Sequence, residues 1–464
     1  MENDPIFQPL KFRNLEVKNR IFRSNLTGRF DNYNGSGTPA RLNWEERFAR
    51  GGVGAILTAH TPVSARGRVL PNYAIVDSDD RIPFFREMAN VVHRYDCKIV
   101  MQLSHAGRQQ DIAGVEHEGE PSLTASPGVD YFNGFSGREM THAEIRTVVG
   151  QFAAGARRAR LAGFDGVELH GNAGYLITQF LSPASNRRRD EYGGSLRNRA
   201  RFLLDIVEAI RREVGRDFHL QVKLSAEDLN NMVAFWEGPG TRLADSIQVC
   251  RWLEEAGVDA LHVNNGNSFP HPVQPPGPLP VAVAAHTYGV MVNSGKHTFR
   301  NYIFFRYRLL RPLFTWLWNR ARPRDVEGIN VPDTKAIRAA VGIPVICTGG
   351  FQRASLIRQV LTDGTCDAVS IARPLVANPD LPQLIAAGRE LPDKPCTFCN
   401  QCMVRVLRDP LGCYELSRFD GDRDAMIREV MSVFEDRVFV KLAPGTPIAA
   451  APDGVEAAPS AAGD

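Results

Sequence analysis

Eight short apolar runs, each followed by a longer segment of helical spacing, constrain this chain more than any other feature. They occupy residues 20–26, 53–60, 98–104, 166–170, 219–225, 260–265, 344–348 and 367–371. Their apolar faces are too continuous for half-exposed antiparallel strands, whereas segments such as 141–162 and 196–214 repeat their apolar residues with the 3.6-residue period of an amphipathic helix. Eight β-then-α units predict an α/β fold of the closed (β/α)8 TIM barrel type. An open doubly wound sheet is the alternative, and the missing Gly-x-Gly-x-x-Gly after the first run argues against it. At 464 residues and 43% hydrophobic content the chain can bury a core of that size.

Two insertions interrupt the rhythm. Residues 105–140, rich in Gly, Pro and Ser, are expected to form a long loop after the third strand, where barrel enzymes cover their sites. After the sixth strand an insertion over about 269–330 begins with a proline-rich loop. It continues into 299–320, where Tyr302, Phe304, Phe305, Trp316 and Trp318 alternate with arginines around an expected kink at Pro312. That segment is too charged to span a bilayer. It suits an interfacial helix on a membrane surface, a lid over an apolar substrate, or a helix packed on the barrel or on a second subunit. The barrel is expected to occupy 1–392, a cysteine-containing extension with a charged helix over 422–435 to occupy 393–440, and a disordered Ala/Pro/Gly-rich tail to occupy 441–464. The net charge of +3 gives no reason to expect nucleic acid as a partner, and the polar first ten residues carry no secretory pattern, so a cytoplasmic location is the default.

Polar side chains gather where the strands end. Gly166-Val167-Glu168-Leu169-His170-Gly171-Asn172-Ala173-Gly174-Tyr175 reads as a buried strand that delivers a histidine, an asparagine and a tyrosine into a glycine-flanked turn. Ser24 and Thr27 follow the first strand, Gln102 ends the third, Lys223 lies in the fifth, and Asn264 and Asn265 follow the sixth. Lys223, a charge inside an apolar strand, serves either a ligand or a buried ion pair. Gly349 and Gly350 close the seventh strand and Arg373 the eighth. Backbone N–H groups freed by glycine and a guanidinium at that place make a phosphate site.

Taken together, Arg20-Ile21 with Ser24 to Thr27, Met101-Gln102-Leu103-Ser104-His105-Ala106-Gly107-Arg108, the 170–175 turn, Asn186-Arg187-Arg188 with Asp190-Glu191-Tyr192-Gly193-Gly194-Ser195, Thr348-Gly349-Gly350-Phe351 and Ala372-Arg373-Pro374 resemble the old yellow enzyme family of NADH:flavin oxidoreductases, over about residues 5–415. The resemblance implies a TIM barrel that holds FMN non-covalently at its carboxyl face and takes hydride from NAD(P)H. It places Ser24, Asn25 and Thr27 beside the isoalloxazine, Gln102 at its pyrimidine edge, Lys223 near N1, and Gly349, Gly350 and Arg373 at the phosphate. It makes His170 the first member of a substrate-binding pair. The second member falls on Ala173, with Asn172 one place early, so Asn172 is the expected second donor. Tyr175 matches the family's tyrosine, a credible proton donor. In the dienoyl-CoA reductase branch a similar tyrosine works with a histidine after strand six, a place that His271 approaches here. A histidine in a proline-rich loop can equally be just exposed.

Cys396-x2-Cys399-x2-Cys402-x10-Cys413 is similar to the cysteine run of that branch. Four thiolates at this spacing can hold a [4Fe-4S] cluster or zinc, or remain buried reduced thiols. The expected function is hydride transfer from NAD(P)H through FMN to an activated alkene such as an enone or dienoyl compound. A flavin dehydrogenase or demethylase with another acceptor, and a non-catalytic membrane-associated flavin or ligand binder, are the alternatives.

Overall fold

The computed structural model describes residues 3–110, 121–129, 136–230, 238–294 and 296–435. Eight parallel strands form its centre: β1 (Ile21–Arg23), β2 (Ala55–Leu57), β3 (Lys98–Ser104), β4 (Gly166–Gly171), β5 (His219–Ser225), β6 (Ala260–Asn264), β7 (Val345–Thr348) and β8 (Ala368–Ile371). Each pairs with the next, and β8 pairs back onto β1 with Val369 opposite Ile21, which closes the barrel. The first two strands are shorter than the apolar runs that signal them, because residues 24–27 and 58–60 leave the ladder at its carboxyl end.

Outward-facing side chains such as Ile56, Met101, Leu169, Val222 and Val369 join one core with the surrounding helices. These include α1 (Pro39–Arg50), α2 (Ile82–His93), α3 (His142–Leu161), α4 (Leu196–Val214), α5 (Leu243–Glu255), α6 (Val331–Arg338) and α7 (Ala354–Thr362). Their ends are written locally: Thr141 and Glu144 make a capping box for α3, and Ser195 caps α4, which stops at Gly215. Inside the barrel the amino end is apolar. Phe22, Ala55, Val100, Ala260, Ile346 and Ala368 pack there against a hairpin pairing Leu10–Lys11 with Glu16–Val17.

The insertions are more ordered than expected. After β3 the described residues form a three-stranded sheet, Ser122–Thr124, Gly128–Val129 and Ser136–Glu139, held by Arg188 Nη1, which donates to the carbonyls of Ala125 (3.2 Å) and Met140 (2.8 Å). After β6 come helices Val281–Thr287, Lys296–Arg306 and Arg311–Ala321. Pro312 does not kink one long helix; it sits in the first turn of the third, where a missing N–H costs nothing. Phe305 and Trp318 from this insertion pack with Tyr73, Tyr175, Leu279 and Tyr288 in a core separate from that of the barrel. Beyond the cysteine segment the expected charged helix is Arg423–Met431, capped by Asp422. The chain then turns onto α1, where Asn43 Nδ2 donates to the carbonyl of Val433 at 2.9 Å. The expected tail lies outside the described residues.

The carboxyl end of β1 is fastened by charge. Arg23, fully buried, pairs with Glu45 of α1, which also takes Arg41 Nε at 2.9 Å, while Arg41 reaches Asp31 at 3.5 Å. Removing one partner of a buried pair strands the other in low dielectric, at about 3–5 kcal/mol. Glu45→Ala is therefore expected to lower the free energy of unfolding by about that amount in urea titrations followed by circular dichroism. A loss well under 1 kcal/mol would place this network at no structural cost.

Candidate active site

Above its apolar floor the barrel interior turns polar. Glu168, fully buried at the centre of β4, accepts hydrogen bonds from Gln102 Nε2 of β3 (2.7 Å) and Gln221 Nε2 of β5 (2.5 Å), and its Oε2 lies 2.8 Å from His262 Nδ1 of β6. His262 Nε2 in turn lies 2.6 Å from Thr348 Oγ1 of β7. Burial pushes the Glu168 pKa up, yet His262, Lys223 and Gln221 outweigh it and hold the carboxyl below its ordinary range.

One layer higher the chain of contacts reaches the mouth. Asn25 Nδ2 donates to Gln102 Oε1 at 2.9 Å, and Lys223 Nζ donates to Asn25 Oδ1 and to Ser24 Oγ, the latter at 3.3 Å. Ser24 is held by its N–H to the Ile371 carbonyl of β8 at 2.9 Å. Burial brings the Lys223 pKa down to about 8 against the pull of Glu168.

A cavity opens over this layer at the carboxyl end of the strands, with about 1310 Å³ of empty space including its mouth. It is lined by Ser24, Asn25, Thr27, His170, Asn172, Tyr175, Lys223, Gly349, Gly350 and Arg373, so ten of the residues singled out from sequence meet there. Gln102 stands one hydrogen bond behind, through Asn25. His271 is not brought in. Its Nε2 lies 3.2 Å from the Leu229 carbonyl in the connection after β5 and its Nδ1 accepts from the Val273 N–H at 3.3 Å, so both ring nitrogens are already engaged, and burial lowers its pKa to about 4. A tight turn pairing His271 with Gln274 folds the ring inward, a detail that motif spacing does not carry.

The 170–175 turn depends on two left-handed residues, Ala173 at φ 60° and Gly174 at φ 73°. A Cβ at Gly174 would collide with the Asn267 carbonyl oxygen, so glycine is required. The turn is held by Gln109 Nε2 donating to the Ala173 carbonyl (3.0 Å) and by Gln179 Nε2 donating to that of Gly174 (2.7 Å). Tyr175 is thereby set with its ring 4.6 Å from His170. At the opposite wall Gly350 has φ 70° and its Cα faces Val326, where a Cβ would come within 2.9 Å of the carbonyl oxygen. Arg373 donates from Nη1 to the Pro276 carbonyl at 2.7 Å and lies over the Phe398 ring at 5.1 Å.

Sequence reasoning passed over His60, Tyr73 and Asn330. His60, just beyond β2, has its ring 4.4 Å from His170 and 4.8 Å from Tyr175. Its signal was present, since it ends the second apolar run as His170 ends the fourth. Tyr73 and Asn330 come from connections with no recognisable pattern. Burial, with the charge of Lys223, lowers the His60 pKa to about 3; burial, His60 and Lys223 push His170 well below its ordinary value. Both imidazoles are neutral donors at neutral pH. Burial raises the Tyr175 phenol, so it keeps its proton.

Cys396, Cys399, Cys402 and Cys413 line a smaller cavity, one wall of which is Arg373. Among the described residues the only ligand-type cluster of three or more whose ligand atoms all lie within 4.8 Å of one another is the half-exposed set of His142, Asp190 and Glu191. No three of the four cysteine sulfurs all lie that close to one another.

The profile of the NADH:flavin oxidoreductase / NADH oxidase family matches residues 5–277, and that of the dihydrouridine synthases matches 317–423. An NADH oxidase of Thermoanaerobacter brockii is 33% identical over 396 residues, which are 85% of this chain and 52% of that protein. An NADPH dehydrogenase of Geobacillus sp. is 31% identical over 395 residues, 83% of this chain and 94% of that one. The chain thus spans about half the length of the first of these relatives. Two solved structures share the fold: 2-naphthoyl-CoA reductase (TM-score 0.71, 22% identity, 90% of this chain and 58% of the other) and morphinone reductase (TM-score 0.62, 24% identity, 86% and 93%).

Lys223 gives the site a pH signature. In the folded chain it loses its proton near pH 8, whereas an unperturbed lysine holds it to about 10.4. Between those values the unfolded chain binds more protons, so this group's contribution to stability rises with pH. The urea-unfolding free energy of the wild type relative to Lys223→Met is expected to improve from about pH 7.5 to about pH 10. A pH-independent difference would show that Lys223 titrates normally.

Proposed function

Since the chain belongs to the NADH:flavin oxidoreductase / NADH oxidase family, we propose that it is an FMN-dependent reductase of activated alkenes. The observation that carries this reading is one cavity holding a buried lysine on its floor and two neutral histidines beside a protonated tyrosine on its wall. The residues fit a flat anionic cofactor with a phosphate tail. Ser24, Asn25 and Thr27 flank the place for its ring, with Gln102 supporting Asn25, and Gly349, Gly350 and Arg373 bound the place for its phosphate. His170 Nδ1, Asn172 Oδ1 and Asn330 Oδ1 are buried there with no well-aligned partner in the chain. FMN, when bound, supplies to the β-carbon of the substrate a hydride drawn from NAD(P)H.

Lys223 sets a fixed positive charge where negative charge develops. His170 donates to the carbonyl oxygen of the substrate. With alanine at 173, His60 supplies the second donor from just beyond β2, beside Asn172. Tyr175 delivers its proton to the α-carbon. His271, enclosed in its loop, has no part in these steps. The partners are NAD(P)H and a small unsaturated substrate. The exposed apolar, cation-bearing face of 299–320 supports a membrane surface as a further partner; among the described residues no helix is long and apolar enough to cross one.

Anaerobic NAD(P)H is expected to bleach the flavin of the purified protein, and an enone to restore its colour with turnover. Tyr175→Phe should slow the second step by about 10²–10⁴-fold while leaving bleaching unchanged. His60→Ala should raise KM for enones. Bleaching without reoxidation by any enone or dienoyl compound would sink the alkene-reductase reading.

The cysteine cavity supports a second cofactor. Four thiolates can close around zinc or hold a [4Fe-4S] cluster. The similarity of the cysteine run to that of the dienoyl-CoA reductase branch favours [4Fe-4S] over zinc, with Arg373 on the wall of that cavity. Anaerobically purified protein is expected to contain iron and acid-labile sulfide in about equal amounts, both lost in Cys402→Ser. Stoichiometric zinc without iron would reverse the assignment.

A further inference from the structure

A second cavity adjoins the first and shares Phe269, Pro270, Pro275, Met291, Met403 and Leu407 with it. It runs beneath the insertion to Leu279, Ala284, Phe305, Trp318 and Val404, with about 530 Å³ of empty space including its mouth. Three of its few polar side chains are engaged within the chain. Trp318 Nε1 donates to the Gly277 carbonyl at 3.0 Å, Thr287 Oγ1 donates to that of Val283 at 3.2 Å, and Asn400 Nδ2 donates to those of Pro275 (3.2 Å) and Pro278 (3.0 Å). A wall this apolar holds water poorly and takes hydrocarbon. Met291 and Met403, at the junction of the two cavities, can adapt to the cross-section of a chain.

The roof of this cavity has two apolar sides. Phe305 and Trp318 face the cavity, whereas Phe299, Ile303, Phe304, Tyr307, Leu309, Leu313, Trp316 and Leu317 are exposed, Leu309 at 89%. These are eight of the fifteen exposed large hydrophobic side chains among the described residues, and they fall within nineteen positions. The surrounding sequence is wholly cationic: residues 260–324 contain eight Lys and Arg and no Asp or Glu. Exposed aromatics and leucines among cations, without one acidic residue, complement an anionic lipid surface.

We propose that the second cavity is the tail site for a lipid-soluble substrate, an α,β-unsaturated carbonyl compound with a long hydrocarbon chain, drawn from an anionic bilayer on which the roof is seated. This rests on the alkene-reductase reading of the first cavity. The head of the substrate lies against His170 and His60 and its chain passes Met291 and Met403 into the second cavity. The alkene gains one hydride and one proton as NAD(P)H is oxidised, and the tail is chemically unchanged.

The holoenzyme is to be assayed with a short-chain and a long-chain 2-enone of identical head group. The long-chain compound is expected to show a KM lower by tenfold or more, at similar kcat. Ala284→Trp, which fills the tail site, should erase that advantage and leave the short-chain kinetics unchanged, and Val404→Phe tests the same wall should the first variant misfold. Calorimetric titration with the saturated long-chain ketone, which cannot be reduced, reads binding without turnover. Binding lost in Ala284→Trp, with no enone reduced by either protein, keeps the tail site and overturns the alkene-reductase reading. Equal KM values for the two enones, or ketone binding untouched by both variants, overturn the tail site. Co-sedimentation with phosphatidylglycerol vesicles but not with phosphatidylcholine vesicles, lost in a Leu309→Glu, Trp316→Glu double variant, supports the bilayer as source. Self-association through the same face without vesicle binding overturns it.

Discussion

Glu168 sits where water cannot reach it, and its charge can persist there only because three neighbouring strands each contribute a partner. An isolated carboxylate in that position would take up a proton rather than bear the cost of desolvation. Gln102, Gln221 and His262 surround it, and His262 extends the network to Thr348, so one side chain couples β3 through β7. The same network sets the floor of the cavity. Gln102, oriented by Glu168, orients Asn25, and Asn25 with Ser24 receives Lys223. The buried anion below Lys223 keeps it titrating at about 8 against the pull of burial.

Three of the apolar clusters among the described residues have different tasks. The barrel floor and the barrel–helix layer are ordinary cores, filled by branched side chains. The third lies beside the active cavity and is built from a loop, the insertion and the cysteine segment. Loops rarely carry a core of their own, because their backbone polar groups need partners. Here Trp318, Asn400 and Arg373 supply them, donating to the carbonyls of Gly277, Pro275, Pro278 and Pro276 along the proline-rich loop, whose proline nitrogens cannot donate. Arg373 thus braces the loop while lining both the larger cavity and the one that holds the sulfurs.

Much of the architecture was legible because period and length are local properties. The eight apolar runs match the eight strands, and the helical segments 141–162 and 196–214 match α3 and α4 to within a residue or two. Pro312 was misread as a kink because sequence shows that a proline interrupts a helix without showing on which side a new helix begins. In β5 polar and apolar residues alternate, against the continuous apolar character read for the eight runs. His219, Gln221, Lys223 and Ser225 would face solvent in a half-exposed sheet, and only closure of the barrel turns that polar face inward. His271 fails for a related reason, since a position two or three residues from a motif says nothing about which way its ring turns.

By itself the sequence determined the barrel, the order of its strands, the polar residues that end them and the grouping of four cysteines, all of which follow from patterns a few residues long. Tertiary structure alone decided that His60, more than a hundred residues before His170, lies beside it, and that Gln102 acts through Asn25. It also decided that the insertion roofs a second apolar cavity continuous with the first. The reason is physical: hydrophobic period and turn chemistry act along the chain, whereas the partner that neutralises a buried charge or completes a donor pair is chosen by which strands the closed barrel brings together around its interior.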